Sequence, residues 1–145
     1  MLDYLVIAFG AWFLGFFPLA EIYVAVPAAV ATGMDDISVI FWTVLGNFTP
    51  VLVITLFYGW LMRNERIKGW LTRFASEKVR TRVDRYGVLF VLLVTPWTGI
   101  WVMTVTARAL GMNQTRFMLA AFVSIFSYAV IVLVLIRAGV AVAAG

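Results

Sequence analysis

The chain has no histidine and no cysteine among its 145 residues, and only 12% of them are charged. Without histidine it lacks the usual neutral-pH proton carrier and the commonest metal ligand; without cysteine it has no thiol nucleophile, disulfide, thiolate metal centre or c-type haem attachment. An HExxH zinc motif is impossible, GxSxG does not occur, and a membrane aspartyl dyad would need two acids where the apolar runs offer one. The expectation is a non-enzyme with no cofactor and no metal. Apolar residues dominate instead, at 64% with a mean hydropathy of +1.03. A soluble domain averages about 45–50% apolar and about 25% charged, so this is the composition of an integral membrane protein.

The scarce charges are unevenly placed. Eight of the eleven basic residues lie from Arg63 to Arg85, against the acids Glu65, Glu77 and Asp84. A short basic loop between apolar stretches stays cytoplasmic by the positive-inside rule. Asp35 and Asp36, between the first two apolar blocks, then mark the opposite face. The basic connector, 63–86, has an apolar stripe of Ile67, Trp70, Leu71 and Phe74 and a second of Val79, Val83 and Tyr86, which predicts two short helices on the cytoplasmic membrane surface. Arg63, Arg66, Lys68, Arg73, Arg80 and Arg82 are its candidate lipid-headgroup ligands, and a plain topology anchor is the competing reading. The net charge of +4 and pI near 9.9 describe this segment and call for no nucleic acid. The N-terminal apolar run follows Asp3 with no positive region and is too long for a signal peptide, so it is read as mature protein.

A bilayer core of about 30 Å takes roughly 20 helical residues. Residues 37–62 and 115–137 each suit one span. Residues 4–33, which include Gly15, Pro18, Glu21 and Pro27, exceed one span and fall short of two. Residues 87–111 carry Pro96, Gly99, Arg108 and the threonines 95, 98, 104 and 106. Proline removes helix hydrogen bonds, and irregular backbone at membrane depth persists only beside protein or a water-filled cavity. Both segments are therefore read as re-entrant helical hairpins, with two kinked full spans as the alternative. Pro18, Pro27, Pro50, Pro96 and Gly99 are the expected tip and kink positions.

An internal repeat favours the hairpins. A shift of 78 positions lays Pro18 on Pro96, Ile22 on Ile100, Val24 on Val102, Ala29 on Ala107, Ala31 on Ala109, Gly33 on Gly111 and Met34 on Met112. Each unit reads hairpin, Gly-Met turn, span, with Gly33 and Gly111 suited to helix C′ positions and Asp35 and Asn113 to N-caps. Units that cross the membrane once each face opposite ways, so their hairpin tips meet near the midplane, where inverted-repeat transporters hold substrate or ions.

Two charges lie inside apolar runs, Glu21 and Arg108, one per repeat. A charge at the bilayer centre costs about 2.5–3.5 kcal/mol on insertion scales, which makes such residues functional candidates by default. Glu21 is the candidate proton- or cation-coupling carboxylate, and Arg108, with its planar fork, the candidate holder of an anionic substrate. A buried ion pair that only locks the hairpins together is the alternative. Asn47 joins them as a polar residue in the first span, where Gly46-Asn47-Phe48-Thr49-Pro50 exposes backbone carbonyls. The stripe Ala25, Ala29, Gly33 is read as packing.

Phe17 to Glu21, Ala25 to Gly33 and Gly46 to Pro50 together resemble the small multidrug export family, whose members have about this length. That family in turn resembles the DedA superfamily, also called SNARE-associated or VTT proteins; Arg85-Tyr86-Gly87, Pro96 and the run Ala107 to Phe117 are similar to the DedA second half. The resemblance implies the re-entrant inverted-repeat fold and either proton-coupled transport or movement of lipids between leaflets. It matches Glu21 to an acidic residue of the first hairpin. The DedA pattern carries arginines around its second Pro-Gly, whereas Val94, Thr95 and Gly99 surround Pro96 here.

The reading is one all-α membrane domain over 1–145: repeat 1 over 1–62, the connector, and repeat 2 over 87–145. Its expected role is a small transporter or lipid flippase of the prokaryotic plasma membrane, multi-pass and homodimeric, partnered by membrane lipids and an unidentified substrate, with proton coupling open. A non-transporting scaffold or assembly factor is the alternative.

Overall fold

The computed structural model describes residues 2–61, 63–66, 69, 87, 89, 93, 95, 97–109 and 111–144. The connector, apart from a few of its residues, lies outside this set. The described residues form helices and turns with no strand among them: α1 (Leu2–Phe16), α2 (Glu21–Ala31), α3 (Asp36–Leu61), α4 (Ile100–Ala109) and α5 (Gln114–Ala144). α3 and α5 are long and apolar enough to cross a membrane. α5 continues past Arg137, beyond the expected end of the second span. The chain divides into two compact units, one of residues 1–48 with 125–145 and one of residues 49–124.

In the first unit, α1 and α2 pack together across the turn at Phe17–Ala20, which contains Pro18. At 15 and 11 residues, each is well below the roughly 20 needed to cross a bilayer. α1 lies against the first half of α3. Near its start, the Tyr4 hydroxyl meets Ser38 Oγ at 3.1 Å and accepts the Trp42 indole N–H at 3.0 Å. Near its end the backbones nearly touch: a Cβ on Gly15 would fall 2.6 Å from the Thr43 carbonyl oxygen, and one on Gly46 only 2.0 Å from that of Trp12. Only glycine permits this approach. At the exposed rim, Arg137 of α5 donates to Asp36 Oδ1 through Nε at 3.0 Å and Nη2 at 2.6 Å.

The 78-residue offset recurs in backbone detail. α2 follows the turn at Phe17–Ala20 and α4 follows Gly99, and both end at a left-handed glycine, Gly33 (φ 80°) and Gly111 (φ 68°). The N–H of each bonds the carbonyl three residues back, Val30 and Arg108, as a Schellman-type terminus requires. Asp35 then accepts the Ser38 N–H at 3.0 Å, and Asn113 accepts the Arg116 N–H at 3.1 Å, so both long helices carry the expected side-chain N-cap. Val39 and Phe117 are fully buried, as are Thr43 and Ala121, at matched positions one turn apart. Ala25 and Ala29 are buried too, in keeping with a packing stripe, whereas Gly33, its expected third member, is exposed.

Pro27 lies inside α2 and Pro50 inside α3, and both helices are continuous through them. Pro50 has no N–H to give the Gly46 carbonyl. Thr43 and Thr104 each donate to the carbonyl four residues back at 2.7 Å, so their hydroxyls serve their own helices. A broad set of large side chains, among them Phe9, Phe13, Leu56, Trp60, Trp97 and Leu135, faces outward, as the lipid-contacting surface of a membrane protein does.

Candidate functional site

Three candidate residues stand where the two repeats differ in chemistry. Glu21 matches Gly99, Asn47 matches Ile125, and Arg108 matches Val30. In each case one repeat has a glycine or an aliphatic residue and the other has a group able to carry charge or hydrogen bonds.

Glu21 is the first residue of α2, 9% exposed, and its φ of 44° makes it the one described non-glycine residue with positive φ. Gly99, immediately before α4, has φ 81°. Both N–H groups bond the carbonyl four residues back, Glu21 to Phe17 at 3.2 Å and Gly99 to Thr95 at 2.9 Å. The backbone geometry is one that glycine adopts freely and a Cβ resists. A strained, buried carboxylate at the end of a tight turn is the kind of feature that clusters at working sites. Its position also sets the negative charge at the positive end of α2.

Asn47 shares the first unit with Glu21. It is 3% exposed, and its Oδ1 has no hydrogen-bond partner among the described residues. Val39, Thr43 and Asn47 form one buried stripe of α3, and Phe117, Ala121 and Ile125 the matching stripe of α5. Asn47 therefore puts an amide where the other repeat packs an aliphatic side chain. Leaving a buried acceptor unpaired costs roughly 1–3 kcal/mol, which packing alone does not explain. The Gly15 contact sets Asn47 at the level of the α1–α2 turn, since a Cβ on Gly15 would lie 3.1 Å from the Asn47 nitrogen.

Arg108 belongs to the second unit. It sits in the last turn of α4, where its charge complements the helix dipole, and its own carbonyl is held by the Gly111 N–H. Its guanidinium carbon lies 5.4 Å from the ring centroid of Tyr58 on α3, a cation–π contact. Nε is buried and without a partner among the described residues. Tyr58 is not foreseeable from the sequence: it stands 50 residues from Arg108, and a tyrosine near the end of a span reads first as an interface aromatic. In the same unit the hydroxyls of Thr55 and Thr106 are also buried and unpartnered among the described residues, as is Gln114 Oε1.

The remaining sequence candidates are distributed as follows. Pro18 lies in the α1–α2 turn and Gly99 directly precedes α4. Arg63 and Arg66 are exposed just beyond α3. Pro96, Lys68, Arg73, Arg80 and Arg82 lie outside the described residues. No group of three or more acidic residues able to hold a metal ion occurs among the described residues.

Residues 21–131 match the family described as "Putative small multi-drug export protein". No curated protein and no solved structure matches the chain.

Proposed function

The chain belongs to the small multi-drug export protein family, and from that membership we propose a small membrane exporter, built on re-entrant hairpins, with Glu21, Asn47 and Arg108 as its working polar groups. Contacts inside the first unit support this topology. Tyr4 meets Ser38 and Trp42 near the start of α3, while Gly15 meets Gly46, ten residues on from Asp36. At 1.5 Å per residue the α1–α2 turn reaches about 15 Å into α3, half of a bilayer core of about 30 Å. α1 thus enters beside α3 and turns back near mid-depth.

The Asp36–Arg137 ion pair is the observation that carries the inverted arrangement. It sets the start of α3 and the later part of α5 on one face. Arg137 is 23 residues from the start of α5, about 35 Å along the helix, so α5 begins on the other face. Four full spans would put Asp36 and Arg137 on opposite sides of the membrane, and Tyr4 and Ser38 likewise. Inverted units with re-entrant hairpins put all four together, on the face that Asp35 and Asp36 mark as non-cytoplasmic.

In this reading Glu21 and Asn47 lie near mid-depth, where Glu21 gains and loses a proton or a cation during export. Arg108 holds substrate charge. The carboxylate is the sole acid inside an apolar run, and no histidine is present to share the task.

The test is flux in proteoliposomes, with the anionic dye carboxyfluorescein as an export probe and an NBD-labelled phospholipid as a flipping probe. Glu21→Gln and Arg108→Ala are each expected to abolish the flux that the wild type supports. If both variants transport like the wild type, the reading fails. A scaffold would instead show lower thermal stability in both variants and no flux in any of them.

A further inference from the structure

We propose that Arg108, Tyr58 and Thr55 form an oxyanion-binding site in the second unit, one that takes a carboxylate or phosphate group. The proposal deepens the export reading by naming the chemical class that Arg108 receives. Its geometry stands independently of transport.

The Arg108 guanidinium carbon lies over the Tyr58 ring, 5.4 Å from its centroid. This contact holds the cation by its charge and not through a hydrogen bond, and the guanidinium donors lie along the edge of the planar ion. That edge has no hydrogen-bond or ion-pair partner among the described residues, and Nε is buried. The side chain is thus positioned by Tyr58, with Nε out of water, while its charge and donors have no other partner among the described residues. A purely structural arginine would be expected to direct this edge at a carboxylate or at helix carbonyls.

Thr55 adds a further donor. It precedes Tyr58 by three residues on α3, which puts the two on one face of the helix. Its hydroxyl is buried and does not take up the helix carbonyls that Thr43 and Thr104 use. A forked cation held at Tyr58, with a hydroxyl donor one turn away on the same face of α3, matches a planar or tetrahedral oxyanion, which accepts two parallel N–H bonds from the fork and a third bond from the hydroxyl. A cationic ligand would meet only repulsion from Arg108. The oxyanion could come from a soluble molecule or from a lipid headgroup, and the experiment separates these sources.

Binding is measured on the full chain in a neutral detergent at constant ionic strength, by thermal shift and calorimetry with inorganic phosphate and with benzoate. A second arm uses nanodiscs of phosphatidylcholine with and without phosphatidic acid. Saturable binding of either soluble anion, or stabilisation by phosphatidic acid alone, is the expected result and identifies the source. Arg108→Gln should remove it. Arg108→Lys, which keeps the charge and loses the fork, should weaken it about tenfold. Thr55→Val should weaken it several-fold, Tyr58→Leu should weaken it, and Tyr58→Phe should leave it intact. If the wild type binds neither the soluble anions nor phosphatidic acid, or if Arg108→Gln and Arg108→Lys bind as the wild type does, the site is refuted. Should Arg108→Gln fail to fold, the Lys and Thr55→Val affinities decide. A wild type that binds the anion and supports no flux upholds the site while overturning the export reading.

Discussion

Glu21 and Gly99 stand 78 positions apart and share one backbone conformation, left-handed with φ of 44° and 81°, each bonded through its N–H to the carbonyl four residues back. One repeat satisfies this geometry with the residue that suits it; the other places a buried acid there. Glycine at position 21 would relieve the strain at the cost of the carboxylate. Glu21→Gly is therefore expected to raise stability by about 1 kcal/mol while abolishing flux. Glu21→Gln should abolish flux without that gain. Melting temperatures in detergent, read beside proteoliposome flux, check both.

Gly46 faces the Trp12 carbonyl with no room for a methyl group. Gly46→Ala forces α1 and α3 apart and should destabilise the protein by about 3 kcal/mol or more, beyond an ordinary overpacking penalty. Gly10→Ala and Gly139→Ala, where a Cβ would meet nothing within 4 Å, should be tolerated. Monodispersity and melting temperature of the three variants give the comparison.

The Asp36–Arg137 pair is about half exposed on both sides, so breaking it should change stability by less than about 1 kcal/mol. Its value is topological. The chain has no cysteine, so the double variant Asp36→Cys, Arg137→Cys reports on one distance only. Oxidation should link the two positions within one chain, and a membrane-impermeant maleimide added outside intact cells should label either single variant. Labelling of position 36 alone would overturn the inverted arrangement.

The α3 cap is sensitive to pH. The Ser38 side chain and N–H hold the Asp35 carboxyl below its ordinary value of 3.8. A carboxyl depressed in the folded state stabilises the fold at all pH values above its unfolded pKa, and that contribution is lost as pH falls through the folded value. Asp35→Ala should therefore lower the melting temperature at neutral pH, with the difference from wild type shrinking below about pH 4. Asn113, which makes the same cap without titrating, supplies the contrast. Asn113→Ala should cost about 1 kcal/mol with little dependence on pH.

The repeat and its punctuation were legible because they are local. Gly33, Gly111, Asp35 and Asn113 do their work through hydrogen bonds within five residues, so residue type and spacing suffice to predict them. The resemblance of Phe17 to Glu21, Ala25 to Gly33 and Gly46 to Pro50 to the small multidrug export family is equally local, and the match over residues 21–131 upholds it. Contacts made by distant residues could not be read in this way. Arg137 meets Asp36 across 101 residues, Arg108 meets Tyr58 across 50, and the Gly15–Gly46 approach depends on how two helices cross. The left-handed backbone of Glu21 lay between the two cases. The 78-residue shift already set it on Gly99, and a glycine partner signals φ above zero, but the shift identifies only matched positions and says nothing of backbone angle.

The glycine contact between α1 and α3 also governs how the protein moves. Side chains at a helix interface can change rotamer and let the helices slide, but two backbones in direct contact have nothing to rearrange. α1 and the first half of α3 must travel as one stiff lever. Any conformational cycle in this protein has its hinge somewhere other than that seam, and the strained turn at Glu21, at the lever's inner end, moves with it.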